Sequence, residues 1–258
     1  MTLLSHEQYC EALIRETDRM RAIVRGADLS ARVPSCPEWD LGRLARHVGG
    51  AHRWAEHIIR TQASAEVPDE DVPNAASPDG DDPAALDAWL AEGAGMLAET
   101  LRAAGPALKV WSWAPDQSAA FWTRRMVHET VIHRADAALA AAVEYEVDPA
   151  VAADTIEEWL EIVAFSAAAG DPEALELRGA GRSLHLHATD VPDAEWLIEF
   201  SDEGFTWRHA HEKATVALRG PLADVLRVFY RRLPADSDRV EVLGDAELLD
   251  FWLERASF

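Results

Sequence analysis

Between Arg124 and Ala138 the chain reads RRMVHETVIHRADAA, placing two histidines and a glutamate within six residues of a helix-like segment. The opening resembles the zinc-protease pattern H-E-x-x-H, but the spacing does not. Ile132 stands where that second histidine would fall, and the histidine comes one residue later, at His133. On a helix, residues four apart differ by about 40° around the axis, so Glu129 and His133 share a face. His128 points about 140° away from His133 and is expected on the exposed side. A carboxylate and an imidazole on one face can bind a divalent cation if another element supplies a further ligand. Arg125, four residues before Glu129, allows an alternative: an ion-pair ladder Arg125–Glu129–His133, of a common and weakly stabilising kind.

The further ligand has three candidates on the segment LGRLARHVGGAHRWAEHIIRTQA: His47, His52 and His57. The apolar arc of that helix is centred by Leu44, Val48 and Ala55. His47 and His52 flank the arc on opposite sides and His57 points outward, so periodicity leaves both flanking residues open. Cys36, beside Pro37, has no base partnered with it in sequence and reads as a packed thiol. Trp111, Trp113 and Trp122 read as core rather than as pocket lining.

Helical spacing of apolar residues recurs through SHEQYCEALIRETDRMRAIVRGA and the histidine-bearing helix, which Asp40 caps. It recurs again through AALDAWLAEGAGMLAETLRAA and from Ala119 to Ala142. The stretch DLSARVPSCPEW reads as a loop punctuated by Pro34 and Pro37, and the acidic stretch from Glu66 to Pro83 as an exposed connection. Four long amphipathic helices predict a four-helix bundle over residues 1–145. After EYEVDP the pattern changes. One more helix, AVAADTIEEWLEIVAFSAAA, leads into alternating runs SLHLHAT, EWLIEFSD, GFTWRHA and ATVALRG. The helical runs PLADVLRVFYRRL and DAELLDFWLERA follow, with the strand-like RVEVLG between them. Residues 146–258 therefore read as a small α+β domain, expected to pack against the bundle.

Composition narrows the partners. Against 24 Lys and Arg stand 46 Asp and Glu, a formal charge of −22, with lysine only at Lys109 and Lys213. Phosphate backbones require clustered cations, so nucleic acid is excluded as a partner. No apolar run is long enough to span a bilayer, and the N-terminus lacks a signal-peptide layout. With two cysteines, Cys10 and Cys36, a disulfide framework is out of reach, and a cytoplasmic protein is expected.

The stretch VPSCPEWDLGRLARHVGG resembles the opening of the mycothiol-dependent maleylpyruvate isomerase family of actinobacteria, in which P-x-W-x-x-x-x-L-x-x-H leads into the second helix. The segment RRMVHETVIHRADA is similar to that family's E-x-x-x-H segment, and LRGPLADVLRVFYRRLP with VEVLGDAELLDFWL to its C-terminal domain. The resemblance spans nearly the whole chain. It implies a DinB-like four-helix bundle followed by a small α+β domain. It also implies a divalent metal, usually zinc, held by His47, Glu129 and His133. His47 is thereby chosen over His52, and Glu129 becomes a ligand rather than a general base. A family arginine with a part in catalysis has its counterpart at Arg232, or at its neighbour Arg231. The implied activity is a mycothiol-dependent isomerase or thiol transferase acting on a small electrophilic, carboxylate-bearing molecule, in a site shared by both halves. Two other readings of the same residues are a non-enzymatic ligand-binding module and a metal-dependent hydrolase.

Overall fold

The computed structural model describes residues 3–73, 75–78, 80 and 82–256. It divides into two units, one of Leu4–Tyr145 and one that takes in Glu146–Phe258. Four helices build the first. Helix α1, His6–Gly26, opens with a capping box in which Ser5 and Gln8 satisfy each other's backbone N–H groups. A short antiparallel hairpin follows, β1 (Arg32–Val33) and β2 (Cys36–Asp40), where the prolines had suggested a plain loop. Helix α2, Leu41–Thr61, starts where Asp40 accepts a hydrogen bond from the Arg43 backbone N–H at 2.7 Å. Helices α3 (Pro83–Ala104) and α4 (Ala119–Ala141) complete the set.

In the bundle α1 and α2 each pack on both α3 and α4, and they meet each other little. Helices α2 and α4 are therefore neighbours, although 57 residues separate the end of one from the start of the other. Close approach of α2 to α3 depends on Gly49, where an added Cβ would lie 2.1 Å from the Trp89 ring. Helix α4 is the innermost. Between Trp122 and Ala138 only Arg124, Glu129 and His133 escape full burial. Of the three tryptophans expected to be core, only Trp122 is: it is fully buried against Trp54, Trp111 and Phe121, while Trp111 is half-buried and Trp113 is 38% exposed. Cys36 packs against the apolar cluster around Leu41, Leu44 and Trp89.

The second unit begins with α5, Pro149–Ala169, and carries a five-stranded sheet. Its strands are β3 (Ser183–Ala188), β4 (Glu195–Phe200), β5 (Phe205–Arg208), β6 (Val216–Gly220) and β7 (Glu241–Gly244). They lie in the order β5-β4-β3-β6-β7, with only the β3–β6 pair parallel. Alternation assigns Leu184, Leu186, Trp196, Ile198, Val216 and Leu218 to one buried face. The helices α6 (Leu222–Phe229) and α7 (Ala246–Arg255) add Phe229 and Trp252, whose rings stack at 5.5 Å. From α5, Glu157 accepts the indole N–H groups of Trp196 and Trp207, each at 2.7 Å. The chain is thus a helical unit followed by an α+β unit.

Helix α6 is shorter than its apolar pattern suggested. It stops at Phe229, and Arg231 adopts the left-handed conformation (φ 63°). The Arg232 N–H bonds the Arg227 carbonyl at 2.6 Å and the Arg231 N–H bonds that of Val228 at 2.8 Å. This is a Schellman motif with arginine where glycine is usual. Among the described residues no helix is long and apolar enough to cross a membrane.

Candidate metal centre

The site follows from two helical spacings. On α4, Glu129 and His133 stand one turn apart, and α2 brings His47 to the same point. Nε2 of His47 lies 3.0 Å and Nε2 of His133 3.1 Å from the same oxygen, Oε1 of Glu129. One ligand atom from each residue falls within 4.8 Å of the others. Arg125 holds the second carboxylate oxygen, Oε2, at 3.3 Å. The ion-pair ladder and the three-residue cluster are thus both present and share Glu129. His47 is 39% exposed and His133 14%, so the cluster opens on the His47 side.

The other nitrogen of His133 is also engaged. Nδ1 faces Oδ2 of Asp136 at 2.9 Å, and the Ser35 hydroxyl in the β1–β2 turn donates to Oδ1 of the same carboxylate. A carboxylate only accepts, so Nδ1 carries a proton. Burial disfavours charge on this imidazole, but the carboxylates of Glu129 and Asp136 outweigh it and hold the ring's pKa up to about 9. Burial would likewise raise Glu129, yet His133 and His47, with Arg125, bring it well below the usual carboxylate range. Without a metal the pair is therefore imidazolium and carboxylate. The Trp39 ring flanks both imidazoles, with centroids 4.9 Å from His47 and 6.3 Å from His133.

These residues fit a divalent cation. Two imidazoles and a carboxylate form a common zinc donor set, and bonds of 2.0–2.1 Å in a tetrahedron put ligand atoms about 3.3 Å apart. The observed 3.0 and 3.1 Å are within a few tenths of an ångström of that. A histidine oriented by a carboxylate through its far nitrogen is the usual support for a metal ligand. Asp136 and Ser35 escaped the sequence reading. Asp136 stands at i+3 from His133 and was legible as a partner, whereas Ser35 is 101 residues away.

The remaining histidines lie elsewhere. His52 is fully buried, its Nε2 2.8 Å from the Thr130 hydroxyl, and burial pulls its pKa down to about 4. His128, expected on an exposed face, is fully buried beside Tyr9 because α4 has partners on almost every side. His57 faces Arg60 at the surface. Arg134, next to His133 in the chain, is buried in an ion pair with Glu16 at 2.8 Å. Arg232 lies in the second unit, where its Nη1 donates to the Tyr230 carbonyl at 2.6 Å.

Two family models match the chain: the mycothiol maleylpyruvate isomerase N-terminal domain over residues 10–138, and the MDMPI C-terminal domain over residues 150–251. The chain belongs to the mycothiol maleylpyruvate isomerase family. Two solved structures share its fold. A mycothiol-dependent maleylpyruvate isomerase is 18% identical with a TM-score of 0.60, and a histidine-to-alanine mutant of such an enzyme is 16% identical with a TM-score of 0.57. Each covers 94% of this chain and is itself covered to 95%. No curated protein matches the chain in sequence. Membership in the isomerase family rests on the two models, and the structural likeness establishes the common fold.

Proposed function

We propose that the chain is a metal-dependent enzyme that takes mycothiol as a thiol cosubstrate and acts on a small electrophilic, carboxylate-bearing molecule. The reaction is cis–trans isomerisation of an alkene or transfer of the thiol to carbon. The observation that carries this reading is the convergence of His47, Glu129 and His133 in a member of the isomerase family. A divalent ion held there, with zinc best matched to the donors, supplies Lewis acidity that favours thiolate over thiol near neutral pH.

The chain's own groups do the rest. Arg125 fixes Oε2 of Glu129 and so leaves Oε1 turned toward the two imidazoles. Asp136 keeps the proton on Nδ1 of His133, which leaves Nε2 as the coordinating nitrogen once its own proton departs. The exposed edge of His47 leaves room for a thiol to approach. In isomerisation the thiolate adds to one alkene carbon, the new single bond rotates, and the same thiolate is expelled, so that no atom is gained or lost. In transfer the carbon–sulfur bond persists and the substrate carbanion takes a proton. Arg232 is the proposed partner of the substrate carboxylate, its guanidinium suited to two parallel hydrogen bonds.

The test uses the zinc-loaded full chain with a panel of electrophilic alkenes and epoxides, read by mass spectrometry with and without mycothiol. Thiol-dependent formation of an isomer or adduct is expected. Turnover that ignores the thiol would replace this reading with a metal-dependent hydrolase, and binding without turnover would replace it with a ligand-binding module.

A further inference from the structure

Four residues of the second unit form another convergence. His185 and His187 are two apart on β3, so their side chains leave the same face of the sheet, opposite the face that carries Leu184 and Leu186. Glu195 on β4 is the cross-strand partner of His187. His211 comes from the segment between β5 and β6. Three nitrogens surround one oxygen, Oε2 of Glu195: His185 Nε2 at 2.8 Å, His187 Nδ1 at 2.9 Å and His211 Nδ1 at 2.6 Å. All four ligand atoms lie within 4.8 Å of one another.

Hydrogen bonding alone is a poor account of this cluster. A carboxylate oxygen offers two lone pairs, and three imidazoles crowd it. His187 Nδ1 is buried and close enough to bond, yet it makes no hydrogen bond with acceptable geometry. The flanking charges are engaged elsewhere. Arg219, beside His187 on β6, pairs with Glu241, and Arg208 on β5 pairs with Glu199 and Glu212.

We propose that His185, His187, Glu195 and His211 form a second divalent-metal site, of the zinc class, in the α+β unit. Three imidazole nitrogens and one carboxylate oxygen complete a four-coordinate shell, as structural zinc sites do, and hard ions such as magnesium, which take oxygen ligands, are selected against. The edges of such a tetrahedron are about 3.3 Å, so each nitrogen moves out by roughly half an ångström from the oxygen. His211 is 73% exposed, whereas His185 is 7% exposed in its side chain. The metal therefore pins the β5–β6 segment to the sheet. The assignment stands apart from the thiol chemistry of the helix cluster.

The test counts zinc bound by the full chain after chelation and reconstitution, with three proteins compared: wild type, His47→Ala/His133→Ala and His211→Ala. About two ions per chain are expected for the first, and about one for each of the others. His211→Ala removes an exposed ligand and leaves the packed core untouched. Cobalt(II) gives an independent reading, since the four-coordinate ligand-field bands that persist in His47→Ala/His133→Ala should vanish when His211→Ala is added. Magnesium should bind to neither. If His211→Ala and His187→Ala both hold as much zinc as wild type, the second site is refuted. If instead the only zinc is lost with His211→Ala and kept in His47→Ala/His133→Ala, the helix cluster falls and the second site stands.

Discussion

The two clusters use the same chemistry, imidazoles gathered around one oxygen of one carboxylate, and reach opposite electrostatic ends. On the helices, His133 has a carboxylate at each ring nitrogen and its pKa rises to about 9. On the sheet, three imidazoles divide a single carboxylate and burial wins at His185, whose pKa falls. The count of carboxylates per imidazole decides the sign, because desolvation opposes the charged histidine in both places. The supports differ as well. The helix cluster has three candidate ligands backed by Asp136, Ser35 and Arg125, and it opens at His47. The sheet cluster has four candidate ligands, two of them from one strand. An open three-ligand set suits catalysis and a closed four-ligand set suits structure.

The widest separation is expected in turnover. His47→Ala/His133→Ala should lower thiol-dependent turnover by about 10³-fold, the equivalent of roughly 4 kcal/mol of transition-state stabilisation. Steady-state kinetics on whichever substrate the electrophile panel yields will measure it. Wild-type rates in this variant would remove the catalytic half of the comparison.

Next in size is an effect of pH on the fold. His52 is neutral in the folded bundle, with its pKa near 4 against an ordinary 6.5. Its contribution to stability is present above pH 6.5 and is lost as pH falls toward 4, in total about 3 kcal/mol. Denaturant titrations of the metal-free chain across that range should show the loss, and His52→Asn should flatten it. His133 acts with the opposite sign. Its raised pKa stabilises the metal-free fold below pH 6.5, and that contribution disappears as pH climbs through about 9. A His133→Ala profile parallel to wild type over this alkaline range would contradict the charge state assigned to the cluster.

Asp136→Asn tests the support of His133. The amide oxygen can still accept the Nδ1 proton but lacks the carboxylate's charge, and zinc affinity should fall about 10–100-fold. Competition with a chromophoric chelator gives the number, and unchanged affinity would show that the helix cluster is no better supported than the sheet cluster. The smallest effect is expected at Arg231. Glycine there relieves a left-handed arginine, so Arg231→Gly should stabilise the second unit by about 1 kcal/mol at most. Thermal denaturation resolves a change of that size, and destabilisation would mean that the arginine side chain holds the turn.

Much of this architecture was legible. Apolar spacing marked the helices, alternation marked β3 to β7, and Asp40 announced the start of α2. What escaped has physical reasons. Helix α4 is enclosed so fully that an angle measured from His133 carries no information about solvent, which is why His128 is buried. The hairpin residues CPEWD show no alternation and contain a proline, so strand pairing had no signature. The end of α6 at Arg231 lacks the glycine that normally signals a left-handed stop. In the sheet, H-x-H at His185 and His187 was a readable hint, since alternate residues share a face. At the helix site, periodicity left His47 and His52 open. His47 reaches Glu129, whereas His52 faces Thr130, a distinction set by how α2 packs against α4.

The Ser35–Asp136–His133 relay has a consequence for assembly. Its outer contact closes across 101 residues and the His47–Glu129 contact across 82. Closing loops of that length is entropically opposed and belongs among the slower events of folding. A growing chain therefore exposes its histidines singly, and only the finished bundle offers them as a set. A metal taken up by the proposed site would report completed topology, which would make metal uptake a kinetic probe of the last step of folding.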